Sequence, residues 1–259
     1  METGRPVGRV IDLIVVADPD ALARRAAVLF AGIAEEAVAC AGRFTVALSG
    51  GSTPKLLYSL LATEPHRSRL PWRQTHVFWG DERCVPPDHP DSNFGMAKAT
   101  LLDRVPVPPD RLHRMEAERD DLDAAAGEYE GEIARIFAVS PTGEPPTFDL
   151  ILLGLGPDGH TASLFPRTEA VHETRRWAVR NYVPTLKTNR LTLTAPILNR
   201  GTRILFLVSG ADKAPVLQEV LEGPAHPERL PSQLIRPVTG RLIWLVDQAA
   251  ASQLAEKAK

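Results

Sequence analysis

Asp158-Gly159-His160 sets a carboxylate and an imidazole two residues apart on a turn flanked by glycines. An imidazole has an ordinary pKa of about 6.5, so it can take a proton near neutrality, and a nearby carboxylate can orient it. The same histidine could instead cap a helix end, and the pair alone does not decide between these roles. A second cluster, Ser49-Gly50-Gly51-Ser52-Thr53-Pro54, has two glycines that permit close backbone approach and helix-initiating amides that can face an anion. It lacks the G-x-x-x-x-G-K-[ST] spacing of a Walker loop, because Lys55 directly follows Pro54. Taken alone, it is equally a glycine turn capped by Ser52 or Thr53.

The third cluster is Trp79-Gly80-Asp81-Glu82-Arg83, leading into His89-Pro90-Asp91-Ser92-Asn93. An acidic pair beside an arginine suits a polar substrate, the guanidinium fork matching phosphate or carboxylate. An internal ion pair with an N-cap at Ser92 is the alternative. Finally, Lys187 and Arg190 precede the run Leu191–Thr194. Surface cations are commonly only solvated charge, but these complement the glycine loop, and each charge-assisted hydrogen bond is worth ~1.5–3 kcal/mol.

Such residues work together only if the chain brings them to one place. Strands are expected near residues 10–16, 44–48, 74–79, 148–153, 177–181, 191–194, 204–208 and 242–246. Helical periodicity covers residues 18–41, 54–62, 92–102, 120–138, 212–221 and 248–257. The runs Ile151–Leu153 and Ile204–Val208 are continuously apolar, as parallel strands covered on both faces require. The alternation predicts an α/β fold: a Rossmann-like three-layer α/β/α sandwich with a mostly parallel central sheet. In such a sheet ligands bind outside the carboxyl ends of strands, where the three polar clusters fall. The proline clusters at residues 105–109 and 140–146 read as loops rather than linkers, so residues 1–259 are expected to form a single domain.

Gly154, Gly156 and Gly159 formally satisfy G-x-G-x-x-G. A dinucleotide site is nonetheless disfavoured. Pro157 stands where amides would line a pyrophosphate, and residues 177–180, Trp-Ala-Val-Arg, offer no acidic strand end. The seven histidines form no H-E-x-x-H or H-x-H arrangement, so no metal is expected. There is no G-x-S-x-G elbow and Cys84 has no evident histidine partner, which leaves Ser163 as the one open nucleophile candidate.

The 259 residues are 44% hydrophobic and 24% charged, the balance of a globular chain. Lys plus Arg is 30 against 32 Asp plus Glu, a formal net charge of −2, so no broad basic field recruits nucleic acid or an anionic membrane. No signal-like apolar run follows residues 1–8, and Cys40 and Cys84 do not resemble a disulfide framework. A cytoplasmic location is expected.

In order and spacing, Leu48–Pro54, Trp79–Arg83 with Pro86 and Ser92-Asn93, and Leu153–Pro166 resemble the 6-phosphogluconolactonases, in the wider family that includes glucosamine-6-phosphate isomerase. The resemblance spans nearly the whole chain. It implies hydrolysis of 6-phospho-D-glucono-1,5-lactone to 6-phosphogluconate in the oxidative pentose phosphate pathway, with a small sugar-phosphate lactone as partner and no required metal or organic cofactor. The isomerase pattern carries a glutamate just before the proline after the Asp-Gly-His turn and usually a tyrosine at the Arg83 position. This chain has Phe165 and Arg83, which favours the lactonase branch. His160 is then expected to deprotonate water, with Asp158 supporting its ring. Ser49, Gly50, Gly51, Ser52 and Thr53 with Lys187 and Arg190 would hold the phosphate, Arg83 would contact substrate or oxyanion, and Asp81 would bind sugar hydroxyls. A non-catalytic sugar-phosphate sensor and an amino-sugar-phosphate isomerase are the alternatives. Monomer and homodimer are left open.

Overall fold

The computed structural model describes residues 11–255. In chain order its elements are β1 (Ile11–Val16), α1 (Pro19–Ala41), β2 (Phe44–Leu48), α2 (Ser52–Leu61), the short α3 (His66–Arg69), β3 (Thr75–Trp79), β4 (Asp81–Arg83), α4 (Asn93–Thr100), β5 (Leu112–His113), α5 (Leu122–Phe137), β6 (Phe148–Leu153), β7 (Ala178–Val183), β8 (Thr188–Leu193), α6 (Ala195–Leu198), β9 (Gly201–Val208), α7 (Ala214–Glu222) and β10 (Arg241–Asp247). Local chemistry sets the boundaries. Helix α1 starts where the Asp18 carboxylate accepts the Ala21 amide at 2.7 Å and stops at Gly42, whose positive φ of 71° reverses the chain.

Seven strands form one parallel sheet in the order β1-β10-β9-β6-β2-β3-β5. Successive side chains of each inner strand face opposite layers. On β6, Leu150 and Leu152 join the core formed with α1 and α2, whereas Ile151 and Leu153 join the core formed with α5 and α7. Strands β9 and β10 alternate in the same way. This is the expected three-layer arrangement. The order reverses between β2 and β6: from β2 the chain moves outward through β3 to β5, and from β6 it moves the other way through β9 to β10. The carboxyl ends of β2 and β6 therefore diverge around a crevice, and the Ser49 and Gly154 loops leave from those ends.

Three features depart from the sequence expectation. Strands β7 and β8 do not join the central sheet; they form a separate antiparallel sheet in the order β4-β8-β7. Only Pro184–Lys187 connect β7 to β8, too few residues for the crossover a parallel pairing requires. Strands β4 and β5 are three and two residues long, too short to show periodicity. The helix expected at residues 248–257 is absent among the described residues. There the Asp247 carboxylate accepts the Ala250 amide at 2.7 Å and stabilises a run of turns instead. Residues 256–257 of that expectation, like residue 10 of the first strand and residues 1–8, lie outside the described residues.

The second sheet is bound to the layer below by Glu130 of α5. Its carboxylate accepts the Trp177 amide at 2.5 Å, the Ala178 amide at 3.1 Å and Arg176 Nε at 2.8 Å. Glu130→Ala strands two buried amide donors, and we expect a loss of about 2–4 kcal/mol in urea unfolding. A loss below ~0.5 kcal/mol would show that the sheet is held by its apolar contacts alone.

Candidate active site

One cleft of about 440 Å³ lies over the crevice between β2 and β6. Ser49, Gly50, Gly51, Ser52, Thr53, Asp81, Arg83, Asp158, His160 and Arg190 all line it. Lys187, at φ 51° in the β7–β8 turn, is not among the lining residues, although Thr185 and Leu186 of the same turn are. Lys213, which the sequence reading missed, lines the cleft instead. The signal for it was available, since Ser209–Lys213 directly follow β9 at the same sheet edge as the other loops.

Asp158 and His160 form the most constrained pair. His160 Nδ1 lies 2.5 Å from Asp158 Oδ1, which also accepts the His160 amide at 3.2 Å. An ionised carboxylate only accepts, so the imidazole proton stays on Nδ1 and the Nε2 lone pair is left free. Burial alone would raise the Asp158 pKa, but the hydrogen bond and charge of His160 outweigh it and hold the carboxyl below its usual value. The ring stacks on Phe165 with centroids 4.1 Å apart. A side chain at Gly156 would collide with the imidazole, its Cβ falling 2.0 Å from Nδ1. The segment directly after β6 runs through turns and opens no α-helix; of its three glycines, Gly156 makes room for the imidazole, Gly159 lies against Leu230 at positive φ, and Gly154 has open space around it.

Across the crevice, α2 begins at Ser52 without a side-chain cap, leaving the Ser52 and Thr53 amides without intrahelical acceptors. Gly51 sits at φ 103°, and a Cβ on Gly50 would fall 1.8 Å from Asn93 Oδ1, so both glycines are required. Tyr58 fixes the loop from within: its hydroxyl donates to Ser49 O at 2.8 Å and accepts the Ser49 amide at 3.1 Å. Burial pushes its phenol pKa upward, keeping it a neutral donor. The buried Ser49 Oγ has no partner among the described residues. Amide donors, a free hydroxyl and Lys213 together suit an anion.

Strand β4 carries the third cluster. Asp81 accepts Ser163 Oγ at 2.6 Å and, at 3.4 Å, Asn93 Nδ2. Ser163 thereby donates its proton to a carboxylate, not to an imidazole, and serves to position Asp81. The Glu82–Arg83 ion pair does not form. Glu82 instead accepts the amides of Arg83, Asn93 and Phe94, at 2.8, 2.8 and 2.7 Å, pinning the loop to α4, which Ser92 caps as expected. Arg83 is then the register partner of Arg190 across β4 and β8. Neither guanidinium has a carboxylate ion pair among the described residues. Burial first, and then the charge of Arg83, lower the Arg190 pKa. Two adjacent like charges at a cleft wall are unfavourable until an anion joins them.

The family model described as glucosamine-6-phosphate isomerases/6-phosphogluconolactonase matches residues 17–244. The chain belongs to this family. Among its relatives, the 6-phosphogluconolactonase of Synechocystis sp. is 45% identical over 93% of this chain and 97% of its own length. That of Nostoc sp. is 42% identical over the same shares. The solved 6-phosphogluconolactonase of Trypanosoma brucei superposes with a TM-score of 0.84 at 30% identity, covering 96% of this chain and all of its own. In this member of the glucosamine-6-phosphate isomerase/6-phosphogluconolactonase family, no group of three or more His, Cys, Asp or Glu side chains among the described residues is arranged to hold a metal.

Two tests follow from the charges in this cleft. Arg190→Met removes a like-charge neighbour of Arg83, so thermal stability without ligand should hold or rise. A clear fall in Tm would contradict the reading that the two guanidinium groups oppose each other in the empty cleft. Cys84, half-buried beside the site, has its thiol pushed up to about 11 by burial. Below that pH it is protonated and a poor nucleophile. A thiol reagent at pH 7.5 should therefore label exposed Cys40 rapidly and Cys84 only after unfolding, and rapid labelling of both would refute the shift.

Proposed function

We propose that this chain is a single-domain 6-phosphogluconolactonase that hydrolyses 6-phospho-D-glucono-1,5-lactone to 6-phospho-D-gluconate. The observation that carries the reading is the oriented Asp158–His160 pair facing a set of anion-binding groups in one cleft. A δ-lactone already has an electrophilic carbonyl, so its hydrolysis needs an activated water, support for the oxyanion and a fixed substrate. The 6-phosphate is assigned to the amides of Ser52 and Thr53, the Ser49 hydroxyl and Lys213. That anchor sets the ring across the cleft, with its carbonyl toward His160 and the Arg83–Arg190 pair.

His160 Nε2 accepts a proton from water as the water oxygen attacks C1. The carbonyl electrons move to oxygen, and the resulting negative charge is met by the guanidinium groups. When the tetrahedral carbon collapses, the C1–ring-oxygen bond breaks and the ring oxygen takes the proton from His160. The product carries a C1 carboxylic acid, which ionises, and a C5 hydroxyl. Asp158 holds the imidazolium through Nδ1 during the step, and its lowered pKa keeps it ionised to do so. Asp81, fixed by Ser163 and Asn93, is assigned to sugar hydroxyls.

Sugar ring opening by an isomerase would call on a second acid beside His160, where this chain stacks the apolar ring of Phe165. A cytoplasmic setting belongs to the reading. It is supported by two free thiols, and no helix among the described residues is long and apolar enough to cross a membrane.

Freshly generated lactone, corrected for spontaneous opening, should be turned over by the wild type. His160→Ala should lower kcat about 10²–10⁴-fold while phosphate binding persists. Full activity in the variant would remove His160 as the base. Saturable binding with no wild-type turnover would instead identify a sensor, and conversion of glucosamine-6-phosphate an isomerase.

A further inference from the structure

Val246 of β10 is the register partner of Val208 of β9, so Asp247 stands beside Ser209, the first residue after β9. Asp247 is 1% exposed. Its Oδ2 accepts the Ser209 hydroxyl at 2.5 Å, its Oδ1 accepts the Ala250 amide at 2.7 Å, and both oxygens lie 3.1 Å from the Gly210 amide. Burying a carboxylate costs several kcal/mol unless hydrogen bonds replace its water. Here the replacement comes from two loops, and one of them walls the cleft. Ser209 and Lys213 of that loop are lining residues, and Asp247 behind them is not.

Hydrogen bonds lead from the buried carboxylate to the lysine of the cleft. Gly210, whose amide Asp247 accepts, sits at φ 105°, and its carbonyl accepts the Lys213 amide at 3.1 Å. That bond closes the single 3-10 turn Ala211–Lys213, which runs into α7. A side chain at Gly210 would be strained by this φ, and its Cβ would fall 2.6 Å from Asp212 Oδ1. The backbone of Lys213 is thus tied to Asp247 through one intervening residue. Its ammonium is held more loosely. The partner there is Asp212 Oδ2 at 3.1 Å, on a side chain that is 69% exposed, and such surface pairs contribute ~0–1 kcal/mol. A fixed backbone therefore carries an ammonium that can exchange its carboxylate for an incoming anion.

We propose that Asp247 is a positioning residue for the anion site: it touches no substrate and acts through Gly210 to set where Lys213 stands. The proposal rests on the reading that Lys213 holds the phosphate. The Asp158–His160 turn is reached from a different strand, β6, and none of the hydrogen bonds of the Asp247 carboxylate goes to it among the described residues. The effect of Asp247 therefore falls on anion binding and not on the base.

Inorganic phosphate is the probe, titrated calorimetrically into the whole protein, because the titration reads Kd and the fraction of binding-competent molecules separately. Asp247→Ala should weaken the Kd about tenfold with the stoichiometry unchanged. Asp247→Asn should restore most of the affinity, since its oxygen still accepts the Gly210 and Ala250 amides and its Nδ2 donates to the Ser209 hydroxyl. Ser209→Ala is the milder variant should Asp247→Ala fold poorly, and it should weaken the Kd several-fold. In a Lys213→Met background both losses should largely vanish, because the residue they act through is gone. A fall in stoichiometry at unchanged Kd would overturn the proposal and leave Asp247 a purely structural role. Losses that persist in full without Lys213 would overturn it too. Absence of phosphate binding by the wild type would instead overturn the anion-site reading itself, and this proposal with it.

Discussion

The hydrogen bond between His160 Nδ1 and Asp158 Oδ1, 2.5 Å long, is the interaction around which the site is arranged. It selects the tautomer, and with it the atom that can accept a proton. Holding two residues so close in sequence in that geometry needs a particular backbone. Gly159 supplies a φ of 81° that other residues rarely adopt, and Gly156 supplies the space the imidazole occupies. Phe165 covers one face of the ring, and the segment at Leu230–Ser232 presses and bonds the turn from below. The apolar run Leu150–Leu153 that ends β6 fixes where this turn begins.

Opposite that dyad the structure keeps charges that are poorly satisfied without a ligand. Arg83 and Arg190 lie in register on neighbouring strands with no carboxylate between them, and α2 opens with uncapped amides. A net charge of −2 gives no hint of this, since it averages over surface ion pairs such as Lys98–Asp103. What matters to a small anion is the local excess within a few ångströms, where solvent screening is least. The antiparallel sheet earns its place here. It places Arg190 beside Arg83, and through Thr192 and Asn181 it bonds the backbone of Ser163, which in turn positions Asp81.

Much of this was legible from sequence, for identifiable reasons. The parallel strands announce themselves because both faces are buried, as Ile151–Leu153 and Ile204–Val208 show. The Asp158-Gly159-His160 turn, the glycine loop and Arg83 stand out because polar and glycine-rich clusters directly follow strands, where an open α/β sheet binds its ligands. Strands β4 and β5 were not legible because two or three residues carry no period. The β7–β8 hairpin was mistaken for central strands because only the short connection, not the strands themselves, distinguishes antiparallel pairing. Lys187 and Lys213 each flank a strand, and only the structure shows that Lys213, after β9, lines the crevice, while Thr185 and Leu186 rather than Lys187 line it from the hairpin turn.

The tautomer of His160 is the most direct measurement of the central claim. With ¹⁵N-labelled histidine, the neutral ring of His160 should show a protonated Nδ1 and an unprotonated Nε2, and Asp158→Asn should abolish that preference. A proton resting on Nε2 in the wild type would contradict the account, because the atom facing the substrate would then have no lone pair with which to activate water.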